Sequence, residues 1–496
     1  MDPISMLLQG FVTILMPENF IYLLGGVVVG VILGAIPGLT ATMAIALVIP
    51  MTFHLTPTQS LIMLIAAYQA GTYGGSLTAI LISTPGTPAA AATVADGFAL
   101  AKKGQAAKAI KAVVWATCFG ILFSSIVLVL SAQPIAQHAL RFGPAEYTVL
   151  MIFALTIIAS ASGGSLIKGM IGGCLGLIVG TIGMDPVFTT TRLTFGILKL
   201  SSGVELLVML IGLLAFSELL KQTSNINKFA SHSLLPPPSC KEDSQFTWED
   251  HKLSWKHWLR SSILGSLMGP LPGLGPALGC WVGYEVAKKN AKYPEKFGKG
   301  SLEGLAGAES ANNAVAGASM IPLLALGIPG DAGAAVLIGA FLIQGLTPGP
   351  LVFTEAPQVV YNIYAGLMLC SIVLFVFMMI SYPLFTGVTK LEDSLIYPSV
   401  AVLCVVGVYA LSASLVDVWI MLFFATVGYL LSRMDFPIVT ILIGFILSPI
   451  FERNARRALQ LSFGDYSVFF SSTICIFFWV LTIIAAFTIM RGKRKA

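Results

Sequence analysis

Charge is what this chain has least of. Charged residues make up 10% of its 496 positions and hydrophobic residues 56%, against about 25% charged in a typical soluble domain. That balance excludes both a water-soluble globular fold and a polar disordered chain. Clusters that carry chemistry are equally scarce. The seven cysteines stand apart with no CxxC spacing, so they read as small packing residues and not as a metal cluster or disulfide framework. The five histidines form no HExxH arrangement, and Gly298-Lys299-Gly300 is not the GK[ST] end of a phosphate-binding loop. No metalloprotease or ATPase is visible, and no organic cofactor is called for. The start of the chain carries Asp2 and Glu18 but no basic n-region, so Phe20–Ile36 is expected to remain as a first span and not to be cleaved as a signal peptide. The net charge of +5 is assigned to loop lysines and arginines, with no nucleic-acid partner.

What the chain does contain is long apolar sequence. Stretches run through 20–36, 60–82, 112–131, 203–220, 360–386, 396–413 and 467–490, and a helical span needs about 20 residues. About ten to twelve passages or half-passages are expected. The short alternating segments of a membrane barrel are absent. The fold class is therefore an all-α polytopic membrane protein embedded in a lipid bilayer.

A Pro-Gly pair interrupts apolar sequence four times, as Pro37-Gly38, Pro85-Gly86, Pro272-Gly273 and Pro329-Gly330. Proline removes a backbone donor and glycine weakens a helix, so each pair frees polar backbone groups that lipid leaves unsatisfied. The first two pairs repeat as the second two. Gly34-Ala35-Ile36-Pro37-Gly38-Leu39 matches Gly269-Pro270-Leu271-Pro272-Gly273-Leu274, and the surroundings of Pro85-Gly86 match those of Pro329-Gly330. Interruptions at corresponding places in two halves point to a substrate site at the midplane of a secondary transporter. The expected organisation is a first transmembrane repeat over 1–220, a polar interfacial linker or arm over 221–260, and a second repeat with C-terminal helices over 261–496.

Loop charge orients the halves. His54 to Gln59 carries no lysine or arginine, whereas the equivalent stretch of the second half carries Lys288, Lys289, Lys292, Lys296 and Lys299. After the second break the asymmetry reverses: Lys102, Lys103, Lys108 and Lys111 correspond to the uncharged Leu346-Thr347-Pro348-Gly349-Pro350. By the positive-inside rule the repeats are expected to be inverted. Arg453, Arg456 and Arg457 before the last span fit less easily. With Arg491, Lys493, Arg494 and Lys495 after it both flanks read as cytoplasmic, so a cytoplasmic C-terminus is expected, the alternative being that the arginines sit in a structured segment and are held by partners such as Glu452 or Asp465. The linker contains Pro236-Pro237-Pro238, then Trp248, Trp255 and Trp258 among charges, as in a helix lying at the membrane interface.

The candidate site lies in the interrupted helices. Gln69, Thr72, Ser76 and Ser83 share one helical face before Pro85, and Glu309, Asn312 and Asn313 follow the same logic in the second half, with Asn312 and Asn313 opposite Tyr68 and Gln69. Such amides also pair across helices without any ligand. Thr40 follows the first break, while Ser83, Thr84 and Thr87 flank the second; a half-helix starting there offers free N–H groups and a dipole suited to a carboxylate. Substrate contacts are expected from Gly38, Thr40, Ser83, Thr84, Gly86, Thr87, Gly273, Asn312, Asn313 and Gly330, and coupling-ion contacts from Thr72, Ser76, Glu309 and Asp331. Freed carbonyls suit Na⁺, with H⁺ as the alternative coupling ion. Glu309 is read as a buried acid serving ion coupling or pairing with a lysine. Asp96 and Asp331 each stand where an aspartate commonly caps a helix. Gly26, Gly30, Gly34 and Gly38 form a small-residue ladder for close helix packing.

These residues resemble a known family. Gly34-Ala35-Ile36-Pro37-Gly38, Tyr73-Gly74-Gly75-Ser76, the run Thr84 to Ala92, Asp96-Gly97, Ala101 to Gln105 and Glu309 to Gly317 are similar to the large membrane subunit of the tripartite tricarboxylate transporters. The resemblance covers nearly the whole chain. It implies a small membrane subunit and a periplasmic solute-binding protein as partners, a bacterial inner membrane, and uptake of a carboxylate driven by an ion gradient, commonly Na⁺. It also implies a relation to elevator-type transporters with scaffold and transport parts. Asp331 departs from the small or hydroxyl residue expected after that break. Two other classes stay open at this point. A membrane-embedded enzyme would need a concentrated acid motif of the DDxxD kind, and none is present. A channel-like subunit would need neither a coupling ion nor inverted broken helices.

Overall fold

The computed structural model describes residues 2–36, 39–161, 165–185, 190–223, 244–388 and 393–492. Six described helices are long and apolar enough to cross a membrane: Pro17–Gly34, Ala106–Ala139, Leu206–Thr223, Pro357–Phe385, Leu415–Arg433 and Ile438–Leu461. Shorter apolar helices accompany them, among them Pro3–Leu15, Ala332–Ile343 and Thr473–Phe487. The protein is an all-α multi-pass membrane protein. Among the described residues the one departure is a two-residue antiparallel ladder in which Gly183 faces Arg192 and Met184 faces Thr191.

The two halves share an order of elements. The first runs Pro17–Gly34, Ala41–Val48, Pro57–Ile82, Thr93–Ala101 and Ala106–Ala139; the second runs Trp248–Met268, Gly275–Lys289, Leu302–Ala318 continued by Met320–Leu326, then Ala332–Ile343 and Pro357–Val388. Pro57–Ile82 starts with a capping box, in which Thr56 Oγ1 accepts from Gln59 N–H and Gln59 Oε1 accepts from Thr56 N–H, satisfying donors that an open helix end leaves free. Every residue from Ser60 to Leu81 is buried, as is every residue from Glu303 to Ala318. A helix buried all round belongs to the core of the molecule, so these two form its axis.

Small residues let their neighbours close on them. An added Cβ at Gly26, Gly30 or Gly34 would come within 2.3, 2.5 and 2.2 Å of the carbonyl oxygens of Met63, Ala67 and Gly71, and Gly265 and Gly269 approach those of Ala311 and Val315 in the same way at 2.4 and 2.7 Å. The glycine ladder is thus a packing surface, as expected for Gly26, Gly30 and Gly34. Gly38 and Pro37 lie outside the described residues. Ser76 meets Glu309 and Gln69 lies beside Gly317, so the two axial helices pass each other in opposite directions. Closing helices are exchanged between halves: Asn313 on Leu302–Ala318 bonds Thr117 on Ala106–Ala139, while Thr58 on Pro57–Ile82 bonds Asn362 on Pro357–Val388.

Loop contacts sort the two ends of the molecule. Lys103 Nζ donates to the Lys299 carbonyl at 2.6 Å, so the lysine-bearing loops of both halves share one end. At the other end Asn362 Nδ2 donates to Thr58 Oγ1 at 3.0 Å and Gln344 Nε2 donates to the Thr52 carbonyl at 3.2 Å. Residues 224–243, including the three prolines, lie outside the described residues. From Ser244 the chain is tied to Ala106–Ala139 by Lys111 Nζ on the Ser244 carbonyl at 2.7 Å, a Lys108–Asp250 ion pair at 2.9 Å, and the Trp115 ring against His251 at 4.7 Å. The tryptophans belong to Trp248–Met268, which runs through position 260 without a break. Trp248 is 72% exposed, but Trp258 is 5% exposed, stacked on Trp115. Arg456 pairs with Glu452 at 2.8 Å and with Asp185 at 3.0 Å, which gives that arginine the partner expected of Glu452. Asp465 instead accepts from Ser467 N–H and Oγ–H.

Candidate functional site

Each axial helix ends in the left-handed region. Ser83 closes Pro57–Ile82 at φ 59°, and Gly327 closes Met320–Leu326 at φ 71°. Beyond each end the chain folds back, and a glycine enters a gap that admits no side chain. A Cβ at Gly86 would lie 2.6 Å from the Gly34 carbonyl oxygen and 2.8 Å from Gly75 Cα; one at Gly330 would lie 2.8 Å from the Gly269 carbonyl oxygen and 2.9 Å from Ser319 Cα. These contacts correspond between the halves, and they are the physical reason for a glycine at each of these two positions. Two backbone donors at the breaks are engaged within the protein: Gly86 N–H donates to the Gly75 carbonyl at 3.1 Å and Gly273 N–H to the Gly330 carbonyl at 2.8 Å.

One acid lies where the halves meet. Glu309 is fully buried. Its Oε1 accepts from Ser76 Oγ–H at 2.6 Å and from the Thr93 hydroxyl. Asn312 Nδ2 donates to the Ala89 carbonyl at 2.8 Å and to Glu309 Oε2 at 3.4 Å. Asn313 Nδ2 donates to Thr117 Oγ1 at 3.1 Å, to the Glu309 carbonyl at 2.9 Å, and to Asn312 Oδ1. No lysine, arginine or histidine bonds Glu309 among the described residues. An ionised carboxylate in such a place is costly unless a counter-charge accompanies it. Hydroxyl, carbonyl and carboxylate oxygens form a hard donor set, suited to a small monovalent cation or a proton.

Several expected residues gather here and others do not. Ser76, Glu309, Asn312 and Asn313 are in direct contact. Thr87 is buried against Gly75, whose added Cβ would lie 2.6 Å from Thr87 Oγ1. Thr72 Oγ1 donates to the Tyr68 carbonyl at 3.0 Å, one turn back. Thr40 caps Ala41–Val48 by accepting from Met43 N–H at 3.2 Å. Ser83 is exposed at the tip and Thr84 half-buried beside it. Asp331 stands apart from Glu309: it caps Ala332–Ile343 by accepting from Ala334 N–H at 2.7 Å, and Tyr68 donates to its other oxygen. Asp96 is likewise held, accepting from Gly300 N–H and Ser301 N–H at 2.8 Å each and from Tyr284 O–H at 2.9 Å. Asp331 is thus the helix cap the sequence suggested, whereas Asp96 stands inside Thr93–Ala101 and caps no helix of its own, holding instead the Gly300 and Ser301 amides and a tyrosine of the other half. Among the described residues the buried Thr87 Oγ1, Asn313 Oδ1 and both amide atoms of Gln69 meet no hydrogen-bonding group.

Thr93 and Thr117 are absent from the expected set. Their hydroxyls sit among alanines in apolar sequence, where threonine ordinarily satisfies itself on its own helix, so only the fold shows that they reach the second half.

Broken helices paired across two like-ordered halves around a buried polar cluster are the architecture of a membrane transport subunit. The chain belongs to the tripartite tricarboxylate transporter TctA family, which it matches over residues 20–443, and is thus the large membrane subunit of such a transporter. It is 34% identical over 478 residues to an uncharacterized 52.8 kDa protein in the TAR-I ttuC' 3' region of Agrobacterium vitis, covering 96% of this chain and 93% of that protein. An uncharacterized protein in the TAR-II ttuC' 3' region of the same organism is 36% identical over 215 residues, 42% of this chain and 89% of its own length. No solved structure matches.

Proposed function

We propose that this subunit carries a carboxylate inward across a bacterial inner membrane, driven by a Na⁺ gradient or, alternatively, by H⁺. The observation that carries this reading is Glu309: a fully buried acid in one half, held by Ser76 and Thr93 of the other, with no basic partner among the described residues. A counter-charge that arrives and leaves with each cycle answers the cost of that burial. Thr72, Ser76 and Glu309 serve the cation, with Thr93 and Asn312 added from their contacts. Asp331 takes a supporting part, since Tyr68 and its own helix already occupy it.

The anion is assigned to the first tip. Ser83, Thr84 and Thr87 bring hydroxyls there, and Thr40, Gly86, Asn312 and Asn313 are assigned to the path toward the cluster; Gly38, expected in the same role, lies outside the described residues. Gly273 and Gly330 belong to the corresponding gap of the second half. Unpaired buried groups such as Thr87 Oγ1 and the Gln69 amide cost about 1–3 kcal/mol each, and a bound carboxylate or cation offers them partners. Opposed axial helices and exchanged closing helices support two inverted repeats, with an elevator-type division into scaffold and transport parts. A periplasmic binding protein delivers the substrate and a small membrane subunit completes the complex.

Reconstitution tests this directly. Proteoliposomes containing the chain, its small subunit and the binding protein should take up a labelled carboxylate only while a Na⁺ or H⁺ gradient stands, and added ATP should change nothing. Full-rate uptake with both gradients collapsed would identify a channel-like subunit and sink the proposal.

A further inference from the structure

A cavity of about 430 Å³ shares no residue with the Glu309 cluster. Ile135 and His138 near the end of Ala106–Ala139, Phe142 after it, Leu271 at the break, and Leu326 and Ile328 at the second tip all line it. Its walls are hydrocarbon except for His138, the one titratable side chain in the lining, whose Nδ1 lies 2.8 Å from the Pro134 carbonyl oxygen. Space of this size without polar partners stays dry, yet if it stayed empty the walls would forfeit dispersion contacts. Something apolar is therefore favoured inside it.

The surroundings say what that is. Ile135 and Leu271 are 38% and 45% exposed, so the cavity opens at the outer surface of the helices, and the solvent there is acyl chain. Arg141 is exposed directly beside Phe142 and forms no ion pair among the described residues. An arginine at the end of a spanning helix sits at the headgroup level, where its fork of donors matches a phosphate. An exposed arginine next in the chain to the lining residue Phe142, and a hydrocarbon slot open to the acyl region, together match the charged head and apolar tail of a phospholipid. We infer that this cavity binds one phospholipid, with its phosphate on Arg141 and an acyl chain against Leu271 and Leu326.

The chain end then backs the second tip. Leu326 and Ile328 flank Gly327 immediately before Pro329-Gly330, so the lipid fills the space beside the sealed break. This inference rests on the membrane embedding of the protein and is independent of how the Glu309 cluster works.

Native mass spectrometry of the full chain, released from membranes in mild detergent, tests it. The wild type should retain one phospholipid, identified by mass after dissociation. Ile135→Trp and Leu271→Trp, which fill the slot from two different elements, should each reduce the retained population by about tenfold, and Arg141→Ala should reduce it severalfold. Leu130→Trp, on the same helix at a 70% exposed position outside the cavity, should leave it unchanged. Circular dichroism and gel filtration establish which variants fold, and either slot-filling variant suffices. A wild type that retains no phospholipid overturns the inference, as does retention of a free fatty acid or other mass in its place, or equal retention by every folded variant.

Discussion

Replacing Glu309 by Gln removes a charge while keeping the shape. The carboxylate receives two hydroxyls on Oε1, from Ser76 and Thr93, and the Asn312 amide on Oε2 at 3.4 Å. A carboxamide reproduces one of these oxygens. If its oxygen faces the hydroxyls, its NH₂ meets Asn312 Nδ2, donor against donor; if it flips, the two hydroxyls rotate to accept, as hydroxyls can. Either way the folding cost is limited to about 1–3 kcal/mol, and the protein should still insert. The effect on coupling is larger in kind, because a neutral side chain requires no counter-charge. Losing hydrogen-bonded contact with a charged group removes about 1.5–3 kcal/mol, which is about one to two decades of apparent cation affinity. Initial rates of labelled carboxylate uptake in proteoliposomes, titrated against Na⁺ at fixed pH and against pH without Na⁺, read that number. Gel filtration and membrane yield establish that the variant folds. A Glu309→Gln protein with wild-type dependence on both cations would refute the reasoning and leave the cluster as helix packing.

Three further outcomes are expected. Single cysteines at Thr58 and Thr347 should react with an impermeant reagent from the periplasmic side while those at Lys103 and Lys292 stay protected in intact cells; labelling of Thr58 together with Lys292, with Thr347 and Lys103 both protected, would mean parallel repeats. Gly86→Val and Gly330→Val should each destabilise the protein by about 1–3 kcal/mol through overpacking, because an added Cβ already lies 2.6 and 2.8 Å from its nearest atoms, and uptake should fall with the thermal midpoint of the detergent-solubilised protein; wild-type midpoints would show that the gaps open freely. Asp96→Ala strands the Gly300 and Ser301 amides and the Tyr284 hydroxyl, a loss of about 1–3 kcal/mol for each group left unpaired, so a thermal midpoint equal to wild type would show that water replaces the carboxylate.

The sequence by itself determined what depends on local chemistry. Scarce charge and long apolar runs set the solvent and the helical class, since a lipid-spanning backbone has to satisfy its own hydrogen bonds. Proline and glycine act on their own residues, so the breaks and their repetition in two halves were legible at Pro85-Gly86 and Pro329-Gly330. Family membership was legible from the same motifs. Tertiary structure alone decided the partners. Ser76 was already grouped with Glu309 from the matching halves, but nothing near Glu309 in the chain announces Thr93, and the reach of Thr117 to Asn313 depends on how closing helices are exchanged between halves. Asp331 shows the same limit: an aspartate after a break reads equally as a cap or an ion ligand, and only the Tyr68 hydroxyl arriving from the opposite half shows that its second oxygen is occupied. Side-chain hydrogen bonds between remote segments are set by helix packing, and packing depends on shapes that no short stretch of sequence contains.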